Sequence, residues 1–337
     1  MTSHDLPSSV PTVTRLSRRR FLGLAGACVG AALVPGALGT AEAAAATPRF
    51  PGHQPGRIYL GMSTSLPWAD AVAQTGPVGL RRSFATWDAH ARQLRTVAED
   101  HAAGRLPWVS FRVPTPGAAG WREVNAGRYD EALRSRARDY ARLGKPVIVT
   151  YHHEPGNEST EADGPAYTAA WCRIFDLFEQ QGALRTVCFA PILSDWTFQE
   201  RNRAEDPATW VSRPMLARIS RNSFLGVDVY QNRRNATFAE RLGAVIDWTA
   251  SRGYPSMMVG VGEMGACRYF GDSPKPEAWI ADNWSWAVAN TSRIAAISYF
   301  NSTANSKDGH NWRLDEAGTT KLARYRSMLA HPVTCRL

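Results

Sequence analysis

Val147-Ile148-Val149-Thr150-Tyr151-His152-His153-Glu154-Pro155 is the stretch on which the reading of the chain turns. From Val147 the run is apolar without alternation, the pattern of a parallel strand buried on both faces. It then gives way within one residue to two histidines, a glutamate and a proline. Seven other short runs share this character: Arg57–Ser63, Val78–Ala85, Pro107–Val113, Val187–Ile192, Phe224–Tyr230, Ser256–Val261 and Ile294–Phe300. With Pro146–Tyr151 they make eight. Between them lie stretches of helical period. Leu133, Ala137, Tyr140 and Ala141 form one stripe; Tyr167, Trp171, Ile174, Phe175 and Phe178 form a second; Phe238, Leu242, Val245 and Ile246 form a third. Eight strands alternating with helices predict an α/β fold, a single (β/α)8 TIM barrel. A doubly wound open sheet is the rival, and no Gly-x-Gly-x-x-Gly follows the first run to support it.

Composition agrees with one large core. The 337 residues include 12 Trp, 10 Tyr and 12 Phe, far too much aromatic surface for a disordered chain. The formal charge of +9 comes from arginine, since only Lys145, Lys275, Lys307 and Lys321 are lysines. The arginines are scattered rather than gathered into a stripe, so the charge does not predict a nucleic-acid partner.

Residues 1–46 read as an address. Ser17-Arg18-Arg19-Arg20-Phe21-Leu22 precedes a Gly/Ala-rich apolar run to about Leu38 and the small residues Ala41-Glu42-Ala43. This is the order of a cleaved signal peptide. A signal anchor is the alternative, but glycines and Pro35 dilute the run. Arginines followed by Phe-Leu resemble the twin-arginine signal, which implies the twin-arginine export machinery as a partner and secretion of a folded protein. Cleavage near Ala43 to Ala46 removes four arginines and two acids, lowering the charge to +7, and leaves residues 47–337 as the catalytic domain. A monomer is expected. Cys28 goes with the leader. Order along the chain favours pairing Cys172 with Cys188 and Cys267 with Cys335; buried free thiols are the alternative.

In a barrel, chemistry sits where strands end. The fourth run ends in His152-His153-Glu154, the sixth in Asp228-Val229-Tyr230 and the seventh in Val261-Gly262-Glu263-Met264-Gly265. Glu154 and Glu263 thus project from the fourth and seventh ends, which face each other across a barrel mouth. Glycosidic cleavage needs such a pair: one carboxyl protonates the leaving oxygen, and the other attacks the anomeric carbon or activates water.

His-Glu after the fourth run and Gly-Glu-x-Gly around the seventh resemble the retaining clan A glycoside hydrolases, most nearly family 26, known for β-mannanases. The resemblance implies that Glu154 is the acid/base, Glu263 the nucleophile, His153 an orienting residue, and Tyr230 a hydrogen-bond donor to the nucleophile. It also implies carboxyl groups about 5–5.5 Å apart, a polysaccharide substrate and no cofactor. The family's mannanases carry Arg-Pro before His-Glu and a tryptophan-rich stretch after it. Here Thr150-Tyr151-His152 precedes and Pro155-Gly156-Asn157-Glu158-Ser159 follows.

Trp196, Tyr299 and Asn301 at strand ends five and eight are candidate sugar contacts, with Phe300 beside them. Arg82 is a candidate partner for a hydroxyl or carboxylate, one of the pair Arg81-Arg82 facing the helices, and Asp228 joins the site if its register is right. Glu158 competes with Glu154 as the acid. A metal site is not expected, because the zinc-protease spacing would need His at Asn157. Two other classes stay open: a non-catalytic carbohydrate-binding protein on a decayed barrel, and a metal-dependent hydrolase, which needs ligands at several strand ends.

Overall fold

The computed structural model describes residues 47–157, 163–199, 206–270, 275–304 and 309–337. The expected leader, with Cys28, and Glu158 lie outside the described residues. The strands are β1 Ile58–Thr64, β2 Leu80–Ala85, β3 Leu106–Phe111, β4 Val147–Tyr151, β5 Val187–Phe189, β6 Ile192–Ser194, β7 Leu225–Tyr230, β8 Val259–Gly265, β9 Ile294–Asn301 and β10 Thr334–Cys335. The helices are α1 Trp68–Thr75, α2 His90–Ala102, α3 Gly117–Asn125, α4 Asp130–Arg142, α5 Gly164–Gln180, α6 Pro207–Trp210, α7 Arg213–Asn222, α8 Phe238–Ser251, α9 Pro276–Ala289 and α10 Lys321–Leu329. No described helix is long and apolar enough to cross a membrane.

Hydrogen bonds join parallel strands in the order β5-β4-β3-β2-β1-β9-β8-β7-β6. The two ends of that path, β5 and β6, are separated only by Ala190 and Pro191. The fifth barrel strand is therefore one run in two halves, and the sheet meets itself as the (β/α)8 barrel that the eight runs predict. Proline explains the split. The Ala190 amide still donates to Val149 on β4 at 3.0 Å, whereas Pro191 has no N–H and its carbonyl accepts from Gly226 on β7 at 2.9 Å. The chain exchanges one neighbour for the other at this dipeptide. A further short strand, β10, pairs with β1 at Ile58 and Tyr59.

Side chains alternate across the barrel wall. Outward residues such as Leu60, Val109, Val149, Val227, Val261 and Ile297 join the helix stripes in one core. Of the predicted stripe on α5, Tyr167, Trp171, Ile174, Phe175 and Phe178 are all fully buried; an aliphatic or Phe side chain so placed contributes about 1.5–3 kcal/mol. Inward residues, among them Tyr59, Leu80, Leu106, Trp108, Ile148, Ile192 and Phe224, form a second core inside the barrel. Phe50 belongs to it, edge-on to Phe224 with ring centres 5.2 Å apart.

This alternation overturns the expected disulfides: all four cysteines are free. Cys172 on α5 packs from the helix side, whereas Cys188 on β5 faces the barrel interior, so the wall lies between them. Cys267 follows the C-terminal end of β8, while Cys335 pairs beside the N-terminal end of β1.

The seventh barrel strand differs from expectation at both ends. Pro255 and Ser256 form a turn, and β8 runs on to Gly265, so Glu263 lies within the strand. A bulge makes this possible. Val227 pairs with Val261 but Asp228 pairs with Glu263, leaving Gly262 as the extra residue. A Cβ on Gly262 would lie 2.6 Å from both Asp228 Oδ1 and Ile192 Cδ1. Gly262→Ala is expected to lose about 1–3 kcal/mol through overpacking, measured by urea denaturation. Gly243→Ala on α8, where an added Cβ meets nothing within 4 Å, is the control and gains about 0.5–1 kcal/mol.

Candidate active site

The C-terminal ends of β2, β4, β7, β8 and β9 bring polar inward residues to one mouth. On β2, Arg81 faces the helix layer, near Asp100 at 3.8 Å, and alternation turns Arg82 into the barrel. Arg82 is buried, donates to Ser110 Oγ on β3 at 2.7 Å, and lies over the Phe84 ring at 4.4 Å. On β7 the outward Val227 and Val229 leave Asp228 and Tyr230 pointing inward.

At the end of β4 the backbone leaves the strand through two left-handed residues, His152 (φ 50°) and Glu154 (φ 48°). Each such non-glycine residue costs on the order of 1–3 kcal/mol unless its surroundings hold it. The holding contacts are present. The His152 amide donates to Phe111 on β3 at 2.9 Å, and the Glu154 amide donates to Ile192 on β6 at 2.8 Å. Trp121 on α3 donates from Nε1 to His152 Nδ1 at 3.0 Å. This kinked exit turns Glu154 toward the mouth. His153 lies against Phe84, ring centres 5.1 Å apart.

Glu154 is pushed up to about 7, first by burial and then by the nearby Glu263 charge; Asn157 and Arg82 pull the other way. Glu263 is buried and accepts the Tyr230 hydroxyl at 2.5 Å. Burial raises Glu263 above the usual carboxylate range, against the lowering influence of Arg82 and of the Tyr230 hydrogen bond. Asp228, fully buried beside Glu263 and Glu154, is raised well above the usual carboxylate range, and burial is again the main cause. Tyr230 is itself fixed from behind: Arg241 on α8 donates to its carbonyl at 2.7 Å and pairs with buried Asp195 at 3.3 Å.

Two residues expected in the site stand elsewhere. Tyr299 is fully buried among the outward residues, its hydroxyl 3.3 Å from the Ala266 carbonyl and its ring against Tyr325 of α10. Asn301 shares that parity and is also buried, accepting the Leu314 amide at 2.8 Å. A one-residue register difference is the reason, because the inward positions of β9 are Ser298 and Phe300. Phe300 packs edge-on to Tyr230 at 5.9 Å. Trp196 lies at the mouth and is exposed.

Other residues join the site without having been read from the sequence. Trp312 in the loop between β9 and α10 packs its ring 4.9 Å from Tyr230, and His310 and Tyr269 continue the aromatic wall. Trp121 holds His152 on the Glu154 side, and Asp195, paired with Arg241, also lies near enough for its charge to raise Glu154. Among the described residues no group of three potential metal ligands is assembled. The arrangement is suited to proton transfer from one carboxyl and to charge or nucleophilic work by another.

No family model matches the chain, and no curated protein does. Solved structures match well in shape. The catalytic domain of a GH26 endo-β-1,4-mannanase from Bacillus sp. JAMB-750 aligns with a TM-score of 0.57 at 13% identity, covering 83% of this chain and 88% of that one. An endo-β-1,4-glucanase from Xanthomonas axonopodis pv. citri aligns with a TM-score of 0.59 at 11% identity, covering 80% and 98%. The protein XacCel5A in complex with cellopentaose aligns with a TM-score of 0.57 at 10% identity, covering 81% and 99%. The likeness shows the fold: the chain is the (β/α)8 barrel that its eight apolar runs predict.

Proposed function

We propose that this chain is a retaining glycoside hydrolase that cleaves a β-linked polysaccharide, with Glu154 as acid/base and Glu263 as nucleophile. The observation that carries this reading is the different environment of the two carboxyls. Glu154 is raised to about 7, so near neutrality it holds a proton to donate. Glu263 has Arg82 and the Tyr230 hydroxyl to favour its carboxylate. In the first step the Glu263 carboxylate attacks the anomeric carbon, the glycosidic C–O bond breaks, and the leaving oxygen takes the proton of Glu154. In the second, Glu154 removes a proton from water, whose oxygen attacks the same carbon and releases Glu263. No cofactor enters either step. The mannanase and glucanase among the similar structures, and the cellopentaose bound to a third, favour a β-1,4-glycan.

The substrate is tested with mannan, mixed-linkage glucan, β-1,3-xylan and cell-wall glycans. Wild type is expected to hydrolyse at least one with retention. Glu154→Gln and Glu263→Gln are each expected to lose activity by about a thousandfold or more, the scale on which an acid–base or covalent role contributes. Binding without hydrolysis by wild type would favour the carbohydrate-binding alternative instead.

The pH dependence follows from Glu154. A carboxyl with a folded pKa near 7 is protonated below that value, so kcat/KM falls as pH rises through about 7. The same shift bears on folding. Protonation of Glu154 favours the folded state, and that contribution is lost as pH climbs from the ordinary 4.5 through about 7. Glu154→Gln, which has no proton to lose there, is expected to show a flatter stability profile across that window in thermal denaturation.

For residues 1–46 we propose twin-arginine export followed by removal of the leader. Arg18→Lys together with Arg19→Lys is expected to retain the precursor inside the cell, read by immunoblotting of cell and medium fractions; unimpaired export would overturn the assignment.

A further inference from the structure

Lys321 is the first residue of α10 and is fully buried. Both facts are unfavourable for an ammonium. Removing the charge from water is unfavourable, and a helix N-terminus repels cations. What the ammonium gains is specific. It donates to the Ala266 carbonyl at 2.8 Å and the Asn311 carbonyl at 3.1 Å, and it pairs with Glu316 at 2.8 Å. Ala266 comes directly after β8, three residues beyond Glu263. Asn311 comes directly before Trp312.

Lys321 therefore joins the end of the strand that carries Glu263 to the loop that carries Trp312. Two more contacts close the same seam. Glu316 accepts the Arg268 amide at 3.2 Å, and the Arg268 guanidinium donates to the Ala317 carbonyl at 2.8 Å. The clamp has a definite target. Trp312 is buried against Tyr230, and both rings close over Gly265, where a Cβ would meet Tyr230 at 2.7 Å and Trp312 at 3.0 Å. The hydroxyl of that same Tyr230 reaches Glu263.

We propose that Lys321 is a positioning residue: by tying the Ala266 and Asn311 carbonyls together it seats Trp312 on Tyr230, and so keeps the Tyr230 hydroxyl on Glu263. As a statement about catalysis this rests on Glu263 being the nucleophile. Glu263 is faced by Arg82 from β2, by Glu154 beyond β4, and by Asp228 and Tyr230 from β7. Lys321 is faced by Glu316, Asp315 and Cys267. The two sets share no member, so removing Lys321 acts on Glu263 through geometry, by way of Tyr230.

The test is a carboxyl 13C titration of glutamate-labelled enzyme, with the Glu263 resonance assigned from Glu263→Gln. In Lys321→Met the Glu263 midpoint is expected to rise by about one pH unit, the scale of a weakened hydrogen bond to a charged group. The acid limb of kcat/KM is expected to rise with it, and kcat to fall about tenfold with KM changed less. In a Trp312→Ala background Lys321→Met is expected to add nothing to the midpoint. An unchanged midpoint in Lys321→Met, or a shift that adds fully to that of Trp312→Ala, overturns the proposal. If Lys321→Met does not fold, Glu316→Gln decides in its place: a raised Glu263 midpoint supports the proposal and an unchanged one overturns it. A wild type that hydrolyses no glycan would remove the proposed activity, while the titration still reads whether Lys321 governs Glu263.

Discussion

Arg82 brings a positive charge into the interior of a barrel, and the three carboxyls around it are arranged by that charge. Glu154, Asp228 and Glu263 each have Arg82 among the influences that favour ionisation, and each is nevertheless raised by burial. One buried cation balances one buried anion; a second and third carboxylate would be uncompensated charges in a medium that solvates them poorly. In the proposed mechanism this balance favours one ionised carboxyl among the three. Glu263 is the natural anion, since it alone adds the Tyr230 hydroxyl to the attraction of Arg82. Asp228, fully buried and beside Glu263, is held well above the usual carboxylate range by burial. Glu154 lies nearer to solvent and titrates near neutrality. In the proposed mechanism, different roles for chemically similar side chains thus arise from position relative to one guanidinium.

That electrostatic division holds only if the backbone places the carboxyls within reach of Arg82. Both glutamates reach the mouth through irregularities rather than through regular strand geometry. Glu154 follows a kinked exit with two left-handed residues, each tied to a neighbouring strand. Glu263 follows the bulge at Gly262, without which β8 would present the opposite parity at that level. The strain is local and the restraints come from the barrel wall, so the cost is borne by the part of the molecule best able to hold it.

These irregularities mark the boundary of what was legible in sequence. The eight apolar runs were visible because burial on both faces leaves a compositional trace, and Glu154, Glu263, Asp228 and Tyr230 were visible because they interrupt those runs. Parity was harder to read. Tyr299 and Asn301 lie one residue away from the inward Ser298 and Phe300, and a continuously apolar strand carries no alternation to tell the two faces apart. The cysteine pairing failed for the same reason, since order along the chain says nothing about which side of a wall a residue occupies. Trp312 and Lys321 gave no signal: one sits in an irregular loop with no period, and the other resembles any lysine at the edge of a helix. Their importance lies in contacts with β8 that only the folded chain creates.

The departure at residues 155–159 gains a physical meaning from the same wall. The resemblance that the two glutamates carry would place tryptophans just after the acid/base residue, where this chain has Pro155-Gly156-Asn157. Exposed aromatic area appears elsewhere on the mouth. Phe84 ends β2, Trp196 follows β6 and Tyr269 follows β8, exposed by 43%, 45% and 44%. Among the described residues these are the large rings most open to solvent, and all three stand at strand ends on one side of the barrel. For a hydrolase of glycans, flat apolar surfaces at the mouth are where sugar rings stack. In the hydrolase proposed above, aromatic faces at the second, fifth and seventh strand ends rather than the fourth would leave the carboxyls around Arg82 unchanged and alter the path of a bound polysaccharide. On the proposed reading, catalysis and sugar choice fall to separable sets of residues, one fixed by the charge balance inside the barrel and the other by which strand ends expose an aromatic face.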